Sequence, residues 1–262
     1  MRPTMLAILT LAIAVSATPE LHAVTPGNCS IEQSRNDGAR DETRLRFEWK
    51  SSDCNDHHCG SSNSDMLWSK WTGIAPQDLQ REGASIDARM KAESGEMRCV
   101  GAIRAGALEG QFTFTPDDQF RKRMEAMGFT DLTIDNLQGY AMLDVTTEWI
   151  KGMKDAGVKD MTTENLMGLK ALKVDPHYVQ AMATAGYPEL HADKLTGMKA
   201  VGVSPEKVEA VRKLGYSPTE EELIQLSVFK IDAPFVERMK SRGFKNLTIA
   251  QLVKIKIFKL DE

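Results

Sequence analysis

The chain lacks the short motifs that mark several common chemistries. It has no His-Glu-x-x-His, so the helical zinc-protease site of that type is excluded. A Gly-x-Ser-x-Gly elbow and a phosphate-cradling glycine loop are also missing, and nothing points to a dispersed Ser/His/Asp triad. Neither sign of charge dominates. The 33 Lys+Arg residues face 37 Asp+Glu, and a net charge of -4 argues against nucleic acid as a main partner. Beyond the N-terminus, no apolar run approaches the roughly 20 residues needed to span a bilayer. Cysteine is scarce, with four in all and none after Cys99.

What is present begins with a targeting pattern. Arg2 precedes an apolar stretch from Met5 to Val15, and small residues follow at Val15-Ser16-Ala17 and again at Leu21-His22-Ala23. This is the layout of a signal peptide over residues 1–23, with cleavage after residue 17 or 23. The expectation is an exported protein, periplasmic or secreted, with no transmembrane segment in the mature chain. Cys29, Cys54, Cys59 and Cys99 survive either cleavage and, in an oxidising compartment, imply disulfides. Four cysteines allow three connectivities. The favoured one closes a local loop with Cys54–Cys59 and a long one with Cys29–Cys99.

Two periodicities divide the remainder. From Arg44 to Phe114 apolar residues alternate with polar ones, beginning with Leu45, Phe47 and Trp49. Ala84 to Ala92, Met97 to Ile103 and Leu108 to Phe114 continue in the same way, which predicts half-buried antiparallel strands. Ser51 to Asp65 is rich in Ser, Asn, Asp and Gly and reads as a loop, and Gln77 to Gln80 as one helical turn.

From Pro116 the spacing becomes helical and repetitive. Gly128, Gly157, Gly186, Gly215 and Gly243 recur at intervals of 29, 29, 29 and 28. Each is followed by a bulky apolar residue (Phe129, Val158, Tyr187, Tyr216, Phe244) and preceded four positions earlier by Met124, Met153, Met182, Val211 or Met239. These are the places of a helix stop with glycine at C′, in which the residues at C″ and C3 pack together. Thr146, Asp175, Ser204 and Asp232 are placed to cap the helices that end there. A second helix follows each glycine, capped by Thr133, Thr162 or Thr248, with a capping box expected at Ser217-Pro218-Thr219-Glu220. Leu137, Leu166, Leu195, Ile224 and Leu252, nine residues after each glycine, are its core positions. Helices this short are marginal alone and must stack on their neighbours. The Met and aromatic stripes are therefore read as core packing. Over the repeat half, 21 Lys+Arg and 22 Asp+Glu are interspersed, as on an ordinary solvated surface.

One local cluster carries potential chemistry. Cys54, His57, His58 and Cys59 are zinc- or copper-ligating types within six residues. Adjacent histidines on a tight turn rarely reach one ion, and exported thiols oxidise, so a disulfide-bearing loop is expected and a metal or redox site is the alternative. His177 and His191 occupy non-equivalent places in the third repeat and read as surface or capping residues.

The run Gly106-Ala107-Leu108-Glu109-Gly110-Gln111-Phe112-Thr113-Phe114, leading through Pro116 and Phe120 to Met124 and Gly128-Phe129, resembles a known arrangement. It is similar to the extracytoplasmic segment of bacterial membrane zinc metallopeptidases of the β-lactam-sensor (antirepressor) type. Val174-Asp175-Pro176 through Gly186-Tyr187 is similar to their repeats. The resemblance spans Arg44 to the C-terminus. The transmembrane helices and the peptidase motif are missing here, so it implies an accessory or sensory region and no protease activity.

The sequence thus predicts an α+β protein. A disulfide-linked antiparallel β unit covers 24–115, and an array of five helical hairpins of about 29 residues covers 116–262. It is expected to be a non-enzymatic interaction or sensory protein of the bacterial envelope, with no cofactor and with another envelope protein as partner.

Overall fold

The computed structural model describes residues 25–36, 39–51 and 61–260. The alternating segments form β1 (Thr25–Asn36), β2 (Ala39–Ser51), β3 (Ser61–Leu67), β4 (Trp71–Thr72), β5 (Ser85–Ala92), β6 (Gly95–Arg104) and β7 (Ala107–Pro116). They make a seven-stranded antiparallel half-barrel sheet in the order β3-β2-β1-β7-β6-β5-β4. Two meanders, one on each side, join where β1 pairs with β7. Period-two alternation sends Ile31, Leu45, Phe47, Met97, Phe112 and Phe114 to the buried face. Arg46, Glu48, Asp87 and Arg98, at the intervening positions, stay on the open face.

Two strands were not expected. β1 has Thr-Pro-Gly-Asn at its start, and only Cys29 and Ile31 supply apolar alternation early in it. Ser61 to Asp65, read as loop, belongs to β3 at the sheet edge. An edge strand pairs on one side only, so Ser-Ser-Asn-Ser-Asp suffices there and blunts the exposed edge. The helical turn near Gln77 is a short 3-10 helix, Pro76–Gln80.

The sheet is curled at its centre. Cys29 on β1 and Cys99 on β6 form a disulfide, although β7 lies between these strands. Their Cα atoms are 6.0 Å apart. Two flat strand spacings would separate them by roughly 9.5 Å. Gly110, opposite Cys29 on one side and Gly101 on the other, makes the curl possible. A Cβ on Gly101 would lie 1.9 Å from the Glu109 carbonyl oxygen, and one on Gly110 2.2 Å from that of Val100.

The described residues hold ten α-helices. The odd ones are α1 (Asp118–Ala126), α3 (Thr147–Asp155), α5 (Pro176–Thr184), α7 (Pro205–Lys213) and α9 (Ala233–Ser241). The even ones are α2 (Ile134–Leu143), α4 (Thr163–Ala171), α6 (Ala192–Ala200), α8 (Glu220–Val228) and α10 (Ile249–Ile257). The even helices contact one another in a row, α2 to α10, and α1, α3 and α5 begin a second row. α2 lies on β6 and β7. Phe120, Met124, Leu137 and Tyr140 share one continuous core with the sheet. Glu93, in the turn after β5, fastens the junction. Its carboxylate accepts from the backbone N–H and hydroxyl of Thr147 at 3.0 and 2.9 Å, at the start of α3.

All five marker glycines have positive φ, between 91° and 98°. At each, the C″ amide donates to the C3 carbonyl, as Phe129 does to Met124 at 3.0 Å, and the glycine amide donates to C2, as Gly128 does to Glu125 at 2.9 Å. That pair of bonds is the Schellman motif, and it recurs at Val158, Tyr187, Tyr216 and Phe244. The even helices close with the same bonds, but through Asp144, Lys173, Gly202, Lys230 and Lys259, all at positive φ. Four of these stops have no glycine and so gave no signal.

The 28-residue interval has a definite location. Gly128, Gly157, Gly186 and Gly243 each precede the next N-cap by five residues, whereas Gly215 precedes Thr219 by four. The capping box of α8 is accordingly Thr219 with Glu222, not Ser217 with Glu220. The shift also makes Leu223 the buried core residue, while Ile224 is half-buried and faces Gly197 of α6.

Candidate interaction surface

The array repeats its side-chain contacts as well as its helices. The indole N–H of Trp149 donates to the Val174 carbonyl at 3.1 Å, and 29 residues later the Tyr178 hydroxyl donates to Val203 at 2.9 Å. A second rung joins neighbouring units. Tyr187 donates to the Pro218 carbonyl at 2.6 Å and Tyr216 to that of Leu247 at 2.9 Å. Each bond lets a large aromatic ring pack inside while its polar tip is satisfied. Burial pushes the Tyr178 phenol up to about 12 and raises that of Tyr140 further.

Cations cover the rings from outside. Lys170 lies 4.9 Å above Trp149, Lys199 4.1 Å above Tyr178 and Lys256 4.3 Å above Phe235, at equivalent positions. Between units, Lys154 covers Phe129 at 4.8 Å and Arg212 covers Tyr187 at 5.7 Å. The rows approach closely where small residues allow. Gly139, Gly168 and Gly197 face Met167, Thr196 and Ile224 of the next even helix. The Met and aromatic stripes singled out in the sequence are thus engaged in packing. Met124, Met153, Met182 and Met239 are fully buried.

The open face of the sheet is polar and largely ion-paired. Arg98 grips Asp87 with two bonds of 2.7 and 2.8 Å, and Arg89 adds bonds of 3.2 and 2.7 Å. The Arg98 and Arg89 guanidinium groups hold the Asp87 carboxyl well below the usual carboxylate range. A depression of about 550 Å³ beside the sheet centre is lined by Asn28, Ser30, Glu48, Lys50, Glu109 and Gln111. Its lining mixes both charges and lacks an aromatic platform.

Of the residues marked by sequence, Cys29 and Cys99 come together as the expected disulfide. Cys54, His57, His58 and Cys59 lie outside the described residues, as does the 1–23 segment. His177 is exposed near the start of α5. His191 occupies the N-cap of α6 without capping it through its side chain, and its Nδ1 lies 2.5 Å from an Asp160 carboxylate oxygen. Sequence reasoning missed the periodic cations. Their signal was present, since Lys170 and Lys199 follow Trp149 and Tyr178 by the same 21 residues.

Among the described residues no helix is long and apolar enough to cross a membrane. No family model, curated protein or solved structure matches the chain.

Proposed function

We propose that this protein is an exported, non-catalytic interaction or sensory accessory protein of the bacterial cell envelope, which contacts another envelope protein through the flanks of its helical array. The observation that carries the reading is how the array employs its polar side chains. Its capping residues close their own helices, its tyrosine and tryptophan tips and several of its lysines are used within and between units, and Tyr187, Tyr216, Lys154 and Arg212 hold one unit to the next. What it offers outward is an extended, repetitive surface, the usual asset of stacked-helix proteins. The Cys29–Cys99 disulfide supports an oxidising compartment. The N-terminal signal-peptide pattern and the resemblance to an extracytoplasmic sensor segment support the same placement.

The test has two parts. An N-terminal fusion of the first 30 or so residues to a reporter that is active only after export should be active. Cross-linking from cysteine probes placed on the exposed flank of α4 and α6 should trap one envelope protein reproducibly. An inactive reporter removes the localisation. Failure to trap a partner, together with stoichiometric binding of a small molecule, replaces interaction with ligand binding.

A further inference from the structure

On the open face of the sheet, the side chains over β1 fall into two rows set by strand register. Lys50 on β2, Asn28 on β1 and Gln111 on β7 stand side by side. Two residues along, Glu48, Ser30 and Glu109 do the same. The outer members of each row are long and the β1 members short. Asn28 and Ser30 are therefore the floor of the depression of about 550 Å³, and the β2 and β7 side chains are its walls. That volume is in the range of small-molecule sites. Cys29, between the two floor residues, is pinned on the other face by its disulfide, so the floor is fixed before anything binds.

The two rows differ in chemistry. The first offers donors, namely the Lys50 ammonium and the Asn28 amide, whose oxygen already accepts from Gln111 Nε2 at 3.1 Å. The second offers acceptors, with a carboxylate on either side of the Ser30 hydroxyl. Charges elsewhere on this face are engaged with one another, as in Arg46 with Asp65 and Arg98 with Asp87. Among the described residues, no ion pair engages Glu48, Lys50, Glu109 or, at the far rim, Arg104. Glu48 and Glu109 are two strand spacings apart, roughly 9.5 Å, and repel across Ser30 with no side-chain cation between them.

We infer that this trough binds a zwitterionic ligand of the short-peptide class, its ammonium received by Glu48, Ser30 and Glu109 and its carboxylate by Lys50 and Asn28. Charge and spacing select this class. A ligand of one sign would satisfy one row and meet like charge at the other. A neutral glycan would leave both charged rows uncompensated and would find no aromatic ring to stack on. The rows lie two residues apart along the strands, about 7 Å. The charged ends of an extended dipeptide are separated by about the same distance, and those of a single amino acid by about half of it. This inference goes beyond the function proposed above and does not depend on it, since the trough lies on the sheet and the proposed partner surface on the helical array.

The test is an amide chemical-shift titration of the full chain with the dipeptide alanyl-alanine, set beside its N-acetylated form, its C-terminal amide and free alanine. The dipeptide should shift amides of β1, β2 and β7 around Ser30, with a dissociation constant of about 1 mM or tighter. Each blocked form, and free alanine, should bind about tenfold more weakly. Glu48→Gln with Glu109→Gln should abolish the preference for a free ammonium and keep that for a free carboxylate. Lys50→Met should do the reverse, with circular-dichroism melts unchanged in both variants. A dipeptide that shifts no amide of the trough at about 10 mM overturns the inference. So do blocked forms that bind equally well, or an ammonium preference that survives in the glutamine pair. Shifts of the same amides by cellobiose, without any by the dipeptide, would also overturn it and assign the trough to a glycan.

Discussion

Replacing Lys173 and Lys230 by glycine should stabilise the protein, although both substitutions remove a side chain and gain no contact. Each lysine ends an even helix with positive φ, 56° and 50°. Left-handed backbone costs a residue with a Cβ about 1–2 kcal/mol. Glycine avoids that cost but gives back about 0.5–1 kcal/mol through the larger entropy of its unfolded chain. The net gain is about 0.5–1 kcal/mol per site, and the two sites lie in different units, so about 1–2 kcal/mol together. Lysine at a helix C-terminus contributes about 0.3–1 kcal/mol of dipole attraction at low salt, so the measurement belongs at high ionic strength. The third unit supplies an internal control. Gly202 occupies the equivalent place with φ 69°, and a Cβ there would meet nothing within 4 Å. Gly202→Lys should therefore cost what Lys173→Gly gains. Equilibrium urea unfolding should show a higher midpoint at unchanged slope for the double variant, and thermal melts a rise of roughly 2–8 °C. A double variant less stable than the wild type, or a neutral Gly202→Lys, would refute the account of these helix stops.

Other expectations follow from single contacts. Cys29→Ala with Cys99→Ala releases a crosslink spanning 70 residues, which should cost about 4 kcal/mol in urea unfolding; a loss under about 1 kcal/mol would mean the crosslink restrains the unfolded ensemble little. The Tyr178 phenol is raised to about 12, so the unfolded chain releases that proton first. Stability conferred by this group is complete below pH 10 and declines between about pH 10 and 12, and Tyr178→Phe should flatten that decline in melts across the range. Gly168→Ala places its Cβ 3.6 Å from Thr196, an ordinary contact, so better helix propensity should add about 0.5–1 kcal/mol, whereas Gly101→Ala strikes the Glu109 carbonyl and should cost more than about 2 kcal/mol, both read as midpoint shifts. Intact mass of the non-reduced protein checks the second disulfide: Cys54–Cys59 oxidised alongside Cys29–Cys99 puts it four hydrogens below the reduced chain, and a retained metal ion would instead favour the metal site.

The parts of the fold legible in the sequence are those whose cause is local. A glycine at C′ with Met at C3 and Phe at C″ is a complete helix stop within six residues, and all five were readable. Leu45, Phe47 and Trp49 alternate because one face of β2 meets the core, whatever its neighbours are. β1 and β3 form for reasons outside themselves. The register Cys29↔Gly110 and Asp65↔Arg46 depends on partners far along the chain, so their polar segments carry little signal of their own. The even-helix stops failed as signals because four of them hold lysine or aspartate, not glycine, in the left-handed conformation. The misplacement of Ile224 had a single origin, a loop one residue shorter after Gly215, which rotated every later position of that helix pair. Of the candidate site, the cation ladder was readable in spacing, since Lys170 and Lys199 follow Trp149 and Tyr178 by the same interval.

The stepwise contacts of the array have a mechanical consequence. Beyond α2, which also rests on the sheet, each even helix contacts its neighbours in the row and shares a core with the odd helices of adjoining units, so tension applied at residue 260 should peel the helices off in pairs, beginning with α9 and α10. A released unit of 29 residues gives about 100 Å of extended chain, so a single-molecule trace should rise in even steps of that size. The extension should then stall at the sheet, where the Cys29–Cys99 bond keeps the 70 residues between its ends from lengthening the tether. The protein would behave as a ratcheted spring with a hard stop, compliant at one end and covalently inextensible at the other.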